Sequence, residues 1–265
     1  MPTKYFFIDA ACLDNRVQQI ANLFCDGDDL EINWPALAGS YRKVFFYDAL
    51  PGQKRGEDES DFSKRYSQAE RRHEYLQTLD RYRVYQGDAR WRKGRGHEQK
   101  KVDVMITVDM LKHTIRGNMD EATLVASDVD FRPLLDALSD EGMFTRLIYN
   151  PKNTSTELLG SADSRTALTA SYINGWFTPE SQEKTGIIGS RSRGVLPIGE
   201  LVREPKNPKF GKMKMVTGVH PDGRSRYFLS WKEPNIGNDW ISISAWTTKA
   251  LVALAKEDYD IEITS

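Results

Sequence analysis

KYFFID, running from Lys4 to Asp9, is an aromatic and β-branched stretch that stops on an acid, and ATLVASD, from Ala122 to Asp128, ends the same way. Short apolar runs of this kind are the pattern of buried strands. Working outward, RKVFFYDA (Arg42 to Ala49), RYRVYQG (around 81–87) and MFTRLIYN (around 143–150) supply three more. Helical stretches separate them: Leu13 to Phe24, Asp61 to Leu79, Val102 to Ile115, and Phe131 to Glu141, the last stopped by Gly142, a residue suited to a left-handed helix stop. This alternation predicts an α/β fold, a parallel sheet with helices on both faces.

In an open parallel sheet, ligands bind beyond the carboxyl ends of the strands, where strand order reverses. With five strands in the order 3-2-1-4-5, the first lies beside the fourth, and Asp9 meets Asp128 there. Asp130 follows two residues later, and Asp103 opens the helix before the fourth strand. Aspartate also caps helices routinely, so Asp103 and Asp130 each carry that second reading. Capping alone accounts poorly for four acids on one rim. Crowded carboxylates repel, and such a cluster stays ionised when cations occupy it. An oxygen-only donor set points to Mg²⁺ or Mn²⁺, and to metal-assisted phosphodiester hydrolysis.

Composition narrows the alternatives. The chain has 265 residues, 28% of them charged and 39% hydrophobic, enough to build a core and unlike a disordered or disulfide-held chain. Its longest apolar run, Ala250 to Ala255, falls far short of the ~18 residues of a membrane span; no membrane partner or signal peptide is expected. Two cysteines, Cys12 and Cys25, without a CxxC pair, and four histidines argue against structural zinc and for a reducing, cytoplasmic setting. His73, His113 and His220 read as surface or internally satisfied rings. A dehalogenase-type phosphatase needs a second acid where Ala11 stands, and no phosphate-binding G-x-x-x-x-G-K-[ST] occurs.

The net charge of −1 conceals two basic blocks. One, from Arg81 to Lys101, holds Arg90, Trp91, Arg92, Lys93, Arg95, Lys100 and Lys101. It reads as a flexible loop running into Asp103, with arginines to hold phosphates and Trp91 to stack on a base. A solvated charged loop is the plainer reading; adjacency to the acids favours the functional one. The other runs from Arg191 to Lys232, where Lys206, Lys209, Lys212, Lys214, Arg224 and Arg226 neighbour Tyr227, Phe228, Trp231 and Trp240. Those aromatics suit a small β core first and a nucleic-acid surface second. The expected organisation is a domain over 1–180, a linker over 181–190 and a β-rich module over 191–265, with one helix from about Trp246 to Lys256.

FIDAACL (Phe7 to Leu13), KKVDVMITVDML (Lys100 to Leu111), ASDVDFRPLLDAL (Ala126 to Leu138) and TELLGSADS (Thr156 to Ser164) together resemble the ordered motifs of the NYN family of PIN-like nucleases over about residues 4–176. The chain departs from the family pattern at Ala10, at Cys12 in place of an asparagine, and at Ala126-Ser127. Asp109 matches a family acid but falls on a different helix face from Asp103, and is read as structural. The resemblance implies a PIN-like, Rossmann-like fold and a divalent-metal endoribonuclease with Asp9, Asp103, Asp128 and Asp130 as catalytic metal ligands and Lys100 at the phosphate. RNA is the expected partner, DNA a second; the oligomeric state is open, a homodimer included. Two other readings remain: a catalytically weak or inactive RNA-binding protein, and a nuclease toxin or defence effector whose C-terminal module binds a protein.

Overall fold

A computed structural model of the chain describes residues 2–263 except 88–89, 93–95, 99 and 234–236, with backbone alone at 90–92, 96–98, 100–101 and 190. Two compact units emerge, one of residues 1–16 and 34–168, the other of 17–33 and 169–265. The division falls inside the first helix.

The first unit opens with β1 (Lys4–Asp9), α1 (Ala10–Phe24), α2 (Trp34–Ala38), β2 (Lys43–Ala49), α3 (Glu59–Thr78) and β3 (Tyr82–Gly87). A small hairpin of β4 (Arg90–Arg92) and β5 (Gly96–Glu98) precedes α4 (Lys100–Ile115). Then come β6 (Glu121–Val125), a 3₁₀ turn (Val129–Phe131), α5 (Arg132–Asp140), β7 (Phe144–Tyr149), α6 (Thr156–Gly160) and β8 (Ser164–Ala167). The sheet order is β3-β2-β1-β6-β7-β8 and every pairing is parallel. The expected order holds, with a sixth strand added at the edge.

Burial explains why the strands were readable. Phe6, Phe7 and Ile8 of β1 are wholly buried, as are Val44, Phe46 and Tyr47 of β2 and Leu124 and Val125 of β6. Phe7 stacks on Phe45 with centroids 4.9 Å apart across the β1–β2 pair. α4 presents Val102, Ile106 and Met110 to this core, a spacing of one helical turn. Its first turn comes so near the end of β3 that a Cβ on Gly87 would lie 2.8 Å from Val102 Cγ2. Gly142 takes the left-handed conformation expected of it, φ 74°.

α3 lies on the surface, yet it is pinned by two residues its balanced charge pattern did not single out. Arg72 donates through Nη1 to both oxygens of Asp14, at 2.7 and 2.8 Å, and through Nη2 to Asp48 at 2.5 Å. The buried His73 donates from Nε2 to the same Asp48 oxygen at 2.8 Å and accepts at Nδ1 from Gln86. Burial pushes the Asp48 carboxyl up, but the His73 hydrogen bond and the Arg72 charge outweigh it and hold the group below the ordinary carboxylate range.

The second unit holds α7 (Ala170–Asn174), α8 (Pro179–Thr185), β9 (Ile187–Gly194), β10 (Glu200–Arg203), the short pair β11 (Lys206–Asn207) and β12 (Gly211–Lys212), β13 (Lys214–Val219), β14 (Ser225–Trp231), β15 (Trp240–Ala245) and α9 (Thr248–Tyr259). Its sheet runs β10-β13-β14-β15-β9, antiparallel throughout. Positions 181–190, expected as a linker, instead carry most of α8 and the start of β9. Ser181, Thr185 and Ile187 are buried, and the Thr185 hydroxyl donates to Asn174, so buried polar pairing fixes what composition read as loose. Leu229, Trp231, Ile241, Ile243 and Ala245 form one buried face of the sheet, and Trp231 meets Tyr259 of α9 at 5.4 Å. Among the described residues no helix is long and apolar enough to cross a membrane.

Arg72→Met leaves the buried Asp48 without its guanidinium and should cost about 3 kcal/mol in urea unfolding. A loss below ~1 kcal/mol would show that the pair contributes no more than an exposed one.

Candidate functional site

β1 and β6 are neighbours in register, Ile8 opposite Val125, so the chain leaving each strand emerges on the same rim. Asp9 ends β1, and its Oδ1 accepts from the Ala11 amide at 3.0 Å as α1 begins. Asp128 follows β6 and caps the 3₁₀ turn, accepting from the Asp130 amide at 3.0 Å. The capping role considered for Asp130 thus belongs to Asp128, and Asp130 sits in the first turn. Asp103 lies in the first turn of α4, the turn whose approach Gly87 permits.

Electrostatics ties the four acids together, with Asp103 as the hub. Burial is the main force raising the Asp9 carboxyl to about 7; the Ala11 amide opposes it and the Asp103 charge adds to it. Burial also raises Asp103, reinforced by Asp128 and Asp130. Among the described residues, none of the four acids forms an ion pair with a Lys, Arg or His. No three carboxylate, imidazole or thiol groups among the described residues stand at ligating range.

Other acids of this unit are treated differently. Glu121 meets Lys4 at 2.7 Å and Arg146 at 3.2 Å. Asp109 accepts from Tyr47 at 3.0 Å and pairs with Lys112, which bears out its structural reading. Asp48 has Arg72 and His73. The rim acids alone in this comparison rely on backbone amides and one another. In donor type they are hard oxygens, the kind a small divalent cation prefers.

Cys12 lies buried beside them, its Sγ 3.2 Å from Ser127 Oγ, which also accepts from the Asn150 amide. Burial pushes the thiol up to about 11. A thiol so disfavoured as thiolate is no nucleophile at neutral pH.

The basic segment departs from expectation. Arg90, Trp91 and Arg92 form β4, paired with β5 so that Arg90 faces Glu98; the described part is a hairpin, because alternate residues on each side find backbone partners. Lys100 and Lys101 open α4. Lys93 and Arg95 lie outside the described residues, as do the side chains of the other five. Sequence reasoning passed over Asp14 and Asp48, which carry the Arg72 clamp. The signal available was Asp48 near the end of the second strand, as Asp9 ends the first.

The parallel sheet flanked by helices defines an α/β protein, with the candidate carboxylates at the rim where β1 and β6 end. The NYN domain family matches residues 21–169, more than half of the chain, and the chain belongs to that family of PIN-like nucleases. The matched span contains Asp103, Asp128 and Asp130, while Asp9 precedes it. Among solved structures, the chain is similar to a protein of unknown function from Vibrio parahaemolyticus RIMD 2210633, at 16% identity and TM-score 0.48, over 67% of this chain and 96% of that one. No curated protein matches it.

The raised Asp9 group makes a signed prediction. Between its ordinary value of 3.8 and about 7, the folded protein holds a proton that the unfolded chain has released. Its contribution to cation-free stability therefore falls as pH rises through that window and is flat above it. At pH 7.5 cation-free Asp9→Asn should melt about 2–4 °C above wild type, the shift that ~1 kcal/mol gives in a chain of this size, and at pH 4 the two should coincide. A lower melting point for the variant at pH 7.5 would mark Asp9 as structural. For the thiols, a disulfide reagent at pH 8 should titrate Cys25 in the folded chain and Cys12 only after unfolding; fast reaction at Cys12 would contradict its burial.

Proposed function

We propose that this protein is a divalent-metal-dependent endoribonuclease, hydrolysing phosphodiester bonds of RNA in a reducing cytoplasm. The observation that carries the reading is the contrast between acids: Asp48, Asp109 and Glu121 have cationic partners, while Asp103 acts on Asp9, and Asp128 and Asp130 act on Asp103, with no cationic partner for the four among the described residues. Repulsion maintained at one rim is a cost that a bound cation offsets. Both cysteines are free, in keeping with the compartment proposed.

Asp9, Asp103, Asp128 and Asp130 would hold Mg²⁺ or Mn²⁺, which when bound supplies an activated hydroxide and charge for the leaving oxygen. Asp9 gives up its proton as it becomes a ligand, so cation affinity rises with pH through about 7. Lys100 and Lys101 bring positive charge to the start of the helix that carries Asp103, where it counters the growing charge at the phosphate. Arg90, Trp91, Arg92, Lys93 and Arg95 draw the strand toward acids that otherwise repel it.

End-labelled single-stranded RNA and DNA, incubated with the protein in Mn²⁺ or in EDTA, test this directly. Cleavage of RNA should require the cation and fall at least about 100-fold in Asp103→Asn. Lys100→Gln should lower turnover at saturating RNA, while Arg90→Gln with Arg92→Gln should flatten the salt dependence of binding by ~0.7 per lost phosphate contact. RNA bound but uncut in Mn²⁺ would replace this reading with that of an RNA-binding protein. An RNA neither bound nor cut would favour an effector whose second unit takes a protein.

A further inference from the structure

The sheet of the second unit has two unlike faces. Side chains alternate along a strand, so if Leu229, Trp231, Ile241 and Ile243 lie on the α9 side, the register puts Lys214, Val216 and Gly218 of β13, Arg226, Phe228 and Ser230 of β14, and Trp240, Ser242 and Ser244 of β15 on the other. No acidic residue stands among them. Of the acids near these strands in sequence, Glu233 and Asp239 are paired with Arg191 and Arg193, and Asp222 with Arg224.

Arg226 is the unusual member. Its guanidinium lies 4.7 Å over the Phe228 ring and donates through Nη2 to Ser244 Oγ at 2.8 Å. Its Nε is buried with no hydrogen-bond partner, and no carboxylate pairs with it among the described residues. Two residues away, Arg224 also stacks on an aromatic ring, Trp246 at 3.8 Å, but Asp222 and Glu183 neutralise it. One stacked arginine is thus closed by the protein's own acids, and the other is left open. A half-buried guanidinium without an anion is costly to keep.

The surroundings specify the anion. Beneath Arg226 the floor is small: Ser230 and Ser242 share a 2.8 Å hydrogen bond, and a Cβ on Gly189 would come within 2.9 Å of Ser244 Oγ and 3.5 Å of Arg226 Nη2. Trp240 has two ammonium groups over its ring, Lys214 at 5.8 Å and Lys232 at 5.4 Å, neither in an ion pair with any described acid. Phe228 faces Ser244 in register, and Trp240 is four residues back along β15, so the two aromatic platforms are ~13 Å apart at ~3.3 Å per residue. That is a run of several nucleotides, too long for a mononucleotide. Flat rings beside free cations at such spacing suit a polymer with a phosphate and a π-face in each unit.

We propose that the Arg226–Phe228–Trp240 face of this sheet binds a single-stranded polynucleotide, with Arg226, Lys214 and Lys232 on its phosphates and Phe228 and Trp240 under its bases. The site is separate from the acid rim and stands whether or not that rim cleaves.

The test uses the full chain in EDTA with fluorescein-labelled 12-nucleotide RNA and DNA, read by fluorescence anisotropy. Arg226→Gln and Trp240→Ala should each weaken binding roughly tenfold, and Trp240→Phe should restore most of the loss. Arg226→Gln should also reduce the salt slope by ~0.7. Loss in the RNA arm, the DNA arm or both supports the proposal and tells which strand the face takes. Ultraviolet cross-linking followed by peptide mapping gives a readout that needs no variant, with adducts expected on the peptides that hold Phe228 and Trp240. Variants that melt like wild type yet bind within twofold of it would overturn the proposal. So would cross-links confined to residues 1–168, or heparin binding equally well with Trp240→Ala without effect, which would mark a polyanion surface that reads no bases. Cleavage in Mn²⁺ by Arg226→Gln at saturating RNA reports on the acid rim separately.

Discussion

A half-buried carboxylate sits at the end of a central strand of a six-stranded parallel sheet, faced by a second acid. Asp9 is held there because β1 has β2 on one side and β6 on the other, so its carboxyl end can only open into the crevice where strand order turns. Its carboxylate accepts from the Ala11 and Cys12 amides, in the first turn of α1. Asp103 is brought in by α4, whose approach requires Gly87. The rim therefore follows from strand order and one close helix–sheet contact, and its repulsion is tolerated because the Phe7, Phe45, Tyr47 and Leu124 core beneath it is fixed by burial.

Every other acid considered in that unit shows what the fold does when it has only stability to serve. Asp48 receives a guanidinium and an imidazole, Asp109 a phenol and an ammonium, Glu121 two cations. Among the described residues, the rim acids have no cationic partner, whereas Asp48, Asp109 and Glu121 do. Helix spacing already set Asp109 apart from Asp103 in the sequence, and the Tyr47 and Lys112 contacts supply what holds Asp109 in place.

The central strands could be read in advance because they are buried on both sides, and the edge strand Tyr82–Gly87, only partly buried, because it follows a long helical stretch in the alternating pattern. The strand order could be read because right-handed crossovers restrict parallel topologies. What escaped were strands defined by pairing rather than content. Ser164–Ala167 is short and mixed, Ile187–Gly194 carries two arginines, two glycines and two serines, and Arg90–Arg92 looks like any charged loop until Glu98 is opposite Arg90. The four rim acids were legible because each stands at an element boundary of the dominant period. Asp14, Arg72 and His73 were not, because their meaning lies in contacts between residues far apart in the chain.

The two blocks of positive charge also divide once partners are counted. Around β14, Arg224 is neutralised and Arg226 is left open, although composition treats them alike. One face of the sheet packs on α9; on the other, Val216, Ser230, Ser242 and Ser244 are themselves buried, beneath stacked cations and rings that leave a guanidinium nitrogen without a hydrogen-bond partner. Among the described residues, each unit therefore retains charge without a counter-charge, carboxylates at the switch point of one and a guanidinium on the sheet of the other, while the sum over the chain stays near zero. On the two readings proposed above, a cation that also grips phosphate would satisfy the first, and phosphate itself the second.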